Sequence, residues 1–154
     1  MKPEPAKPRG RKEKDDRLTL IDTSAWISAL READSTRARD EIDRLIAENL
    51  AATAGIVQLE LLSGTRTERE YKELREDLEA LVQLEITATT WERASHLAYS
   101  LRRKGITVPS ADVLIVTTAA ENDCNLLHAD RHFDLMVEQD VRLPESMVIS
   151  LLDG

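Results

Sequence analysis

The sequence is poor in cysteine, aromatic residues and long apolar runs, and each shortage excludes a class of protein. Cys124 is the only cysteine, so no internal disulfide can form, and its place beside an apolar run favours a small core thiol. No stretch reaches the roughly 18 consecutive apolar residues of a membrane span, and the N-terminus lacks the apolar run of a signal peptide. We therefore expect a cytoplasmic protein with no membrane contact.

Common catalytic and nucleotide-binding signatures are missing as well. The sequence has neither a G-x-x-x-x-G-K-[ST] loop nor a G-x-G-x-x-G loop, which disfavours nucleotide-binding enzymes of those types. No Ser/His/Asp or Cys/His set indicates nucleophilic catalysis, and a single cysteine gives no support to a zinc site. What the chain does have is 154 residues, 42% hydrophobic and 32% charged, which is typical of one globular domain.

The charge is acidic overall but unevenly distributed. Residues 1–17 carry seven Lys or Arg and four Asp or Glu, whereas residues 18–154 carry 14 and 25, a net charge of −11. We expect residues 1–17 to form a flexible basic tail and residues 18–154 to form a single domain. An acidic domain binds nucleic acid poorly by charge alone, but it can act on a polyanion if divalent cations neutralise its carboxylates.

The apolar pattern predicts strands that alternate with helices. Short apolar runs predict strands at residues 18–21, 50–54, 84–86, 126–129, 141–143 and 147–152. Amphipathic or apolar segments between them predict helices, with N-terminal capping signals at Thr67 with Glu70, at Thr89 with Glu92, and at Ser110. Helices of this length allow right-handed crossovers, so the fold class is α/β, a sandwich with a central, mainly parallel sheet flanked by helices.

Four acids occupy places where carboxylates are informative. Asp22 follows the first strand, Asp130 follows the strand at 126–129, and both should lie at the carboxyl edge of a parallel sheet. Asp112 lies in the first turn of an apolar helix, and Glu60 interrupts another apolar helix. Each has a structural alternative: Asp22 can cap a helix, Asp112 gains from the helix dipole, and Glu60 can belong to a wet helix face.

Carboxylates that cluster repel one another and need compensation, which a hard divalent cation such as Mg²⁺ provides. One or two such ions can activate water for attack on a phosphodiester. Two other readings stay open. One is a phosphatase or phosphotransferase with Asp22 as nucleophile, although position 24 is Ser rather than a second acid. The other is a non-catalytic binding module whose acids serve as caps and surface charge.

Four blocks of the chain resemble the motifs of PIN-domain ribonucleases, most closely the VapC toxin class of bacterial type II toxin–antitoxin modules. The blocks are residues 20–27 (LIDTSAWI), the helix with Glu60, residues 109–115 (PSADVLI) and residues 127–133 (LHADRHF). Their order and spacing carry the resemblance, which covers residues 18 to about 150. It implies a compact PIN-like α/β/α fold and Mg²⁺- or Mn²⁺-dependent cleavage of RNA.

The resemblance also implies roles for individual residues. The implied catalytic acids are Asp22, Glu60, Asp112 and Asp130. Of these, the three aspartates match metal-ligand positions, and Glu60 matches an acid often reached through water. Thr23 or Ser24 matches a hydroxyl that supports the first acid, Phe133 matches a packing position, and Asp134 is an additional acid.

The implied partners are an RNA substrate, a cognate antitoxin whose C-terminal segment occupies the acidic cleft, and a second copy of the toxin. The assembly is then a homodimer or a toxin–antitoxin hetero-oligomer. A housekeeping PIN nuclease that acts in RNA maturation is the alternative within the same family.

Overall fold

The computed structural model describes residues 15–31, 36–139, 143 and 147–152. Within these residues the chain forms five strands and seven helices. The strands are β1 (Thr19–Ile21), β2 (Ala51–Ala54), β3 (Val82–Leu84), β4 (Asn125–His128) and β5 (Val148–Ser150). The helices are α1 (Thr23–Leu30), α2 (Thr36–Ala47), α3 (Gly55–Ser63), α4 (Glu68–Glu79), α5 (Ala88–Arg103), α6 (Ser110–Glu121) and α7 (Arg131–Gln139).

The five strands form one sheet in the order β3-β2-β1-β4-β5, and every pair is parallel. This confirms the predicted parallel α/β class. The chain builds outward from β1 to β2 and β3, then returns to place β4 on the other side of β1. The strand order therefore reverses between β1 and β4, and in open α/β sheets ligands bind at the carboxyl ends of the strands that flank such a reversal.

Helix α6 is the most deeply buried helix of the described chain, because all residues from Asp112 to Ala119 are buried. Its sequence is apolar nearly all round, as expected for a helix that neighbours cover on several sides. Two threonines inside it satisfy their hydroxyls by donating to carbonyls one turn earlier, Thr117 to Val113 and Thr118 to Leu114, both at 2.7 Å. The burial of α6 brings Asp112, at its start, into the interior.

The start of α4 follows the predicted capping pattern with one difference. The hydroxyl of Thr67 accepts the backbone N–H of Glu70 at 3.1 Å, as predicted. The carboxylate of Glu70 accepts the N–H of Arg66 at 2.9 Å, one residue before the cap. The reciprocal bond therefore holds the approach to the helix rather than the cap residue.

The predicted cap at Thr89 with Glu92 is wrong. Helix α5 begins two residues earlier, with Thr87 as the cap and Thr90 as its reciprocal partner at 3.1 and 3.3 Å. Thr90 is buried, and its hydroxyl also donates to Glu121 on α6 at 2.6 Å. This contact with α6 favours the earlier start, which a local capping pattern does not reveal.

The predicted cap at Ser110 is displaced by one residue. Pro109 is the cap, and its carbonyl accepts the N–H groups of Asp112 and Val113 at 3.1 and 3.2 Å. Proline suits this place because its fixed φ leads into a helix and it has no N–H to satisfy. Asp112 remains in the first turn, as predicted.

Smaller differences concern strand limits and one helix face. The third strand is Val82–Leu84 rather than residues 84–86, because Val82 and Gln83 pair with β2. On α2, Ala38, Ile42 and Leu45 are buried, whereas Ile46, which belongs to the same apolar pattern in the sequence, is 44% exposed. Of the strand predicted at 141–143, only Leu143 lies among the described residues, where it is buried outside any strand.

The predicted tail at residues 1–17 lies outside the described residues except for its last three. There Asp15 accepts the side-chain N–H of Asn125 on β4 at 2.8 Å and pairs with Arg17. The division at residue 17 stays a prediction. None of the helices in the described ranges is both long and apolar enough to cross a membrane.

Candidate metal centre

Asp22 lies at the carboxyl end of β1 and is almost fully buried, with 3% of its surface exposed. It caps α1, since its Oδ2 accepts the N–H of Ser24 at 2.9 Å and the Ser24 hydroxyl at close range. Its Oδ1 is buried and has no hydrogen-bond partner among the described residues. The capping alternative is therefore correct but incomplete, because capping uses one carboxylate oxygen and leaves the other available.

Ser24 joins the ends of the two central strands. Its hydroxyl donates to Asp22 and accepts the backbone N–H of Ala129, just after β4, at 2.9 Å. The N–H of Asp22 in turn donates to the carbonyl of Leu127 on β4 at 2.9 Å. These bonds hold the loop that carries Asp130 against the end of β1, as expected where parallel strands share one edge.

Asp112 is the acid most affected by its neighbours. It is 8% exposed, and its Oδ2 is buried without a hydrogen-bond partner in the part of the chain that the structure describes. The pKa of Asp112 is raised to about 7, mainly by burial and then by the negative charges of Asp130, Asp22 and Glu60, while nearby His132 acts in the opposite direction. Asp112 therefore lies close enough to the other three predicted acids to be affected by their charges.

Asp130 and His132 lie beside Asp112 at the start of α7, and both are half-buried. The Oδ1 of Asp130 accepts the backbone N–H of His132 at 2.9 Å and lies 2.8 Å from its ring Nδ1. The same Nδ1 lies 3.6 Å from Oδ2 of Asp112. Potential ligand atoms of Asp112, Asp130 and His132 lie within 4.8 Å of one another.

His132 was not among the predicted site residues. A signal existed in the sequence, because His128 and His132 are four residues apart, a spacing that often brings two ligands to one helix face. The structure separates the pair, since His128 belongs to β4 and is fully buried. Of these two histidines, His132 is the one whose ring lies beside the carboxylates of Asp112 and Asp130.

Glu60 lies at the rim and not in the interior. It is exposed on α3, and its Oε1 accepts the hydroxyl of Thr23 at 3.0 Å. The interpretation of Glu60 as a residue of a wet helix face is therefore correct, because α3 buries only Val57 and Leu61 and leaves Leu59 65% exposed. Of the two hydroxyls predicted as alternatives to support Asp22, that of Ser24 bonds to Asp22, whereas that of Thr23 bonds to Glu60.

Asp134 directs its carboxylate away from the other acids. Its Oδ1 lies 3.1 Å from Nε2 of the buried His128, and its Oδ2 accepts the hydroxyl of Ser150 at 3.4 Å. The other ring nitrogen of His128 accepts the backbone N–H of Asp130 at 3.1 Å. This acceptor role leaves the proton of the neutral ring on Nε2, where it points to Asp134. Asp134 and His128 thus hold the backbone at Asp130.

The residues at this edge fit a divalent cation. Two buried carboxylate oxygens, one on Asp22 and one on Asp112, lack hydrogen-bond partners within the described ranges, and burial also raises the pKa of Asp22. Buried polar atoms are rarely left in this state unless a ligand, ion or water satisfies them. A crevice of about 1120 Å³, lined by Ser24, Asp130 and His132 among others, opens to solvent beside Asp130; Asp22, Asp112 and Glu60 do not line it.

A protein-family model described as "PIN domain" matches residues 19–138 of the chain. Ribonuclease VapC11 from Mycobacterium tuberculosis is 32% identical over 123 residues, which cover 77% of this chain and 91% of the relative. A VapC ribonuclease from Mycobacterium bovis matches with the same identity and coverage.

Solved structures share the fold. VapBC2 from Rickettsia felis, bound to a DNA fragment from its promoter, superposes with a TM-score of 0.67 at 19% identity, covering 86% of this chain and 98% of that one. DNA-bound VapBC from Salmonella typhimurium superposes with a TM-score of 0.65 at 17% identity, covering 87% and 98%. Both confirm the fold that the sequence motifs imply.

Proposed function

This chain belongs to the PIN-domain family and, within it, to the VapC ribonucleases, and on that premise we propose that it is a metal-dependent endoribonuclease that acts as the toxin of a type II toxin–antitoxin module. The observation that carries the proposal is the meeting of Asp112, Asp130 and His132, whose potential ligand atoms lie within 4.8 Å of one another, together with a buried carboxylate oxygen on each of Asp22 and Asp112 that has no partner among the described residues. A protein that needed these acids only as caps and surface charge would have no reason to bury Asp22 and Asp112 in this state.

In this proposal Asp22, Asp112 and Asp130 hold Mg²⁺ or Mn²⁺, and Glu60 acts at the solvent-facing rim. Such an ion supplies an activated water and charge neutralisation for the phosphodiester. The donor atoms are carboxylate oxygens, which are the ligands that these hard cations select. The ion also supports RNA binding, since it offsets the negative charge that would otherwise repel the backbone.

The chain's own groups prepare this site before substrate arrives. The two hydrogen bonds from Ser24 fix Oδ2 of Asp22 and leave Oδ1 for the ion. Thr23 fixes one oxygen of Glu60, and the His128–Asp134 pair fixes the backbone of Asp130. Ligands held in this way lose little entropy on binding, which is how a preorganised site gains affinity and precision.

The proposed partners follow from the relatives. The similar solved structures are VapBC assemblies. By analogy we propose that this chain binds an antitoxin that covers the crevice, and that it forms a homodimer or a toxin–antitoxin hetero-oligomer. The net charge of −11 over residues 18–154 suits a basic antitoxin segment. RNA is the substrate, which gives the protein a cytoplasmic place of action. Nothing in the described residues favours covalent phosphotransfer through Asp22 or a role in RNA maturation.

The test is RNA cleavage by a variant that loses one charge and keeps its helix cap. Asp22→Asn suits this purpose, because Asn caps a helix as well as Asp does but binds Mg²⁺ poorly. The exposed Asp40 on α2 provides the matched control, Asp40→Asn. We expect the purified wild type and the control to cut RNA with Mg²⁺ or Mn²⁺ and to stop when EDTA is added.

Asp22→Asn should lose at least about 100-fold in rate while its circular dichroism and elution volume stay those of the wild type. Full activity in this variant, or cleavage that persists in EDTA, would contradict the proposal. Co-expression with the protein encoded by an adjacent small gene tests the toxin role, since a cognate antitoxin should co-purify and abolish cleavage.

A further inference from the structure

We propose that His132 is a direct ligand of the divalent cation through its Nδ1, and that this nitrogen shifts the site's preference from Mg²⁺ to transition-metal ions such as Mn²⁺ and Co²⁺. The proposal rests on the metal centre of the proposed function, and it concerns a residue outside the four acids considered so far. It predicts a mixed nitrogen and oxygen donor set in place of an all-carboxylate one.

The distances around the ring fit ligands of a shared ion. Nδ1 of His132 lies 2.8 Å from Oδ1 of Asp130 and 3.6 Å from Oδ2 of Asp112. Adjacent ligands of an octahedral ion with bonds of about 2.1 Å stand roughly 3 Å apart. One short contact to Asp130 alone would describe an ordinary hydrogen bond. The approach of the same nitrogen to a second, buried carboxylate oxygen indicates a common focus.

The second observation is the state of that oxygen. Oδ2 of Asp112 is buried and lacks a hydrogen-bond partner among residues 15–31, 36–139, 143 and 147–152. It lies in the same cluster as Nδ1 of His132 and a carboxylate oxygen of Asp130. A buried carboxylate oxygen without a hydrogen-bond partner destabilises the folded protein, and a bound cation would offset this cost. The three side chains thus present their ligand atoms to one small volume.

The local backbone prepares His132 for this role. The residue lies in the first turn of α7, and its N–H donates to Oδ1 of Asp130, which places the ring beside that carboxylate. The His132 side chain is 43% exposed and lines the crevice, so an ion can reach the ring from solvent. The other two histidines are placed differently: His128 uses both ring nitrogens in hydrogen bonds, and His96 is exposed on α5.

Ligand chemistry gives the expected metal preference. Mg²⁺ takes oxygen ligands and binds imidazole poorly, whereas affinity for nitrogen donors rises from Mn²⁺ through Co²⁺ to Ni²⁺. A site with three carboxylates and one imidazole should therefore still accept Mg²⁺ but bind Mn²⁺ and Co²⁺ more tightly. The imidazole accounts for the difference, so its removal should narrow the gap between the metals.

The experiment uses Mn²⁺ itself as the probe. Pulsed electron paramagnetic resonance of bound Mn²⁺ detects the ¹⁴N nucleus of a coordinated imidazole, so the full chain is loaded with Mn²⁺ in a nitrogen-free buffer after removal of any histidine tag. His132→Asn is the test variant, because its amide can still hydrogen-bond to Asp130. His96→Asn is the matched control. Calorimetry with Mn²⁺, Co²⁺ and Mg²⁺ gives the affinities.

We expect a ¹⁴N signal in the wild type and in His96→Asn, and its loss in His132→Asn, together with a fall of about 10-fold in the ratio of Mn²⁺ to Mg²⁺ affinity. Mn²⁺ bound without a ¹⁴N signal in the wild type would overturn this inference and leave the proposed function intact. Absence of Mn²⁺ binding at millimolar concentration would overturn both. A ¹⁴N signal that depends on His132 in a protein that does not cut RNA would support the inference and refute the nuclease.

Discussion

The acids of helix α4 and the acids at the carboxyl edge of the sheet show two uses of the same side-chain type. On α4, Glu73 pairs with Arg69 at 2.9 Å and Glu79 pairs with Arg75 at 2.8 Å, each four residues apart and exposed. At the sheet edge, Asp22 and Asp112 are buried beside other acids, and each has one oxygen that no other described group bonds.

The difference between these two sets of acids separates side chains that stabilise the fold from side chains that serve the proposed function at the expense of stability. The exposed pairs on α4 obey the local rules of helix stabilisation, and each contributes only about 0.3–0.5 kcal/mol. The buried acids violate the rule that charges are paired, and the repulsion between them opposes folding when no cation is bound. Packing of the hydrophobic core must offset this destabilisation. Under the proposed function, the acids become favourable only when they bind an ion and RNA.

The largest contrast should appear in RNA cleavage when one acid of each kind is neutralised. Asp112→Asn should slow cleavage by at least about 100-fold, because residues that merely support metal ligands already contribute about 10- to 100-fold. Glu79→Gln should stay within about twofold of the wild type. Initial rates on one RNA substrate with saturating Mn²⁺ measure both. Similar losses in the two variants would remove the distinction between the regions.

Asp112→Asn, which should lower the cleavage rate, should raise the stability of the protein when no metal is bound. The pKa of Asp112 is raised to about 7 from 3.8, so the folded state holds a proton that the unfolded state has lost. The wild type should therefore lose stability as pH rises from about 4 to about 7, and Asp112→Asn should lose less, with the remaining loss coming from Asp22, whose pKa burial also raises. At pH 8 in EDTA the variant should be more stable by on the order of 2 kcal/mol.

Urea denaturation in EDTA at pH 4, 6 and 8 measures this effect, with Asp40→Asn as the control that should follow the wild type. Addition of Mn²⁺ at pH 8 should stabilise the wild type and the control more than Asp112→Asn, since only an intact site binds the ion tightly. Equal stability of the wild type and Asp112→Asn at every pH would mean that this carboxylate is not repelled in the folded protein.

An intermediate effect is expected at Asp134, which is an acid with a partner inside the site region. Asp134→Ala leaves the Nε2–H of buried His128 without its acceptor and should cost about 1–3 kcal/mol. The backbone at Asp130 should loosen, which should slow cleavage by about 10-fold. Asp134→Asn keeps an oxygen for the His128 proton and should restore most of the activity. Failure of Asn to do better than Ala would separate Asp134 from the orientation of Asp130.

The smallest effect should come from the exposed pairs. Glu79→Gln breaks one i,i+4 pair on α4 and should lower the free energy of unfolding by about 0.3–0.5 kcal/mol at low salt, and by less at high salt. Thermal denaturation at two ionic strengths measures the change. A loss above about 1 kcal/mol would show that this surface contributes more to stability than exposed pairs ordinarily do.

Much of the fold could be predicted because the hydrophobic pattern is strong where the chain is most buried. The runs that form β1 and β4 are continuous and apolar, and α6 is apolar on all sides, so their types were predictable. Helix starts were less predictable. Thr87 and Thr89 are both suitable helix caps by residue type. The choice of Thr87 depends on the contact of Thr90 with Glu121 on α6, 31 residues away.

The positions of the candidate acids in the fold were more predictable from the sequence than the position of His132. Asp22 and Asp130 follow from their places after parallel strands, and Asp112 follows from its place at the start of a buried helix. The depth of Glu60 could not be decided, because α3 exposes an apolar residue beside it, Leu59, that the sequence suggested was buried. The approach of His132 to two carboxylates depends on the turn into α7, which the residue pattern alone does not specify.

The return of the chain to β1 has a consequence for the timing of activity during synthesis. β1 is made well before β4, since the Ser24 hydroxyl meets the backbone of Ala129 only after 105 further residues. Until β4 has left the ribosome and inserted beside β1, Asp22 has neither this support nor Asp130 as a neighbour. A nascent chain in which β4 has not yet paired with β1 therefore contains three of the four acids but is not an active nuclease. The hazardous activity arises only when β4 pairs with β1 in the sheet.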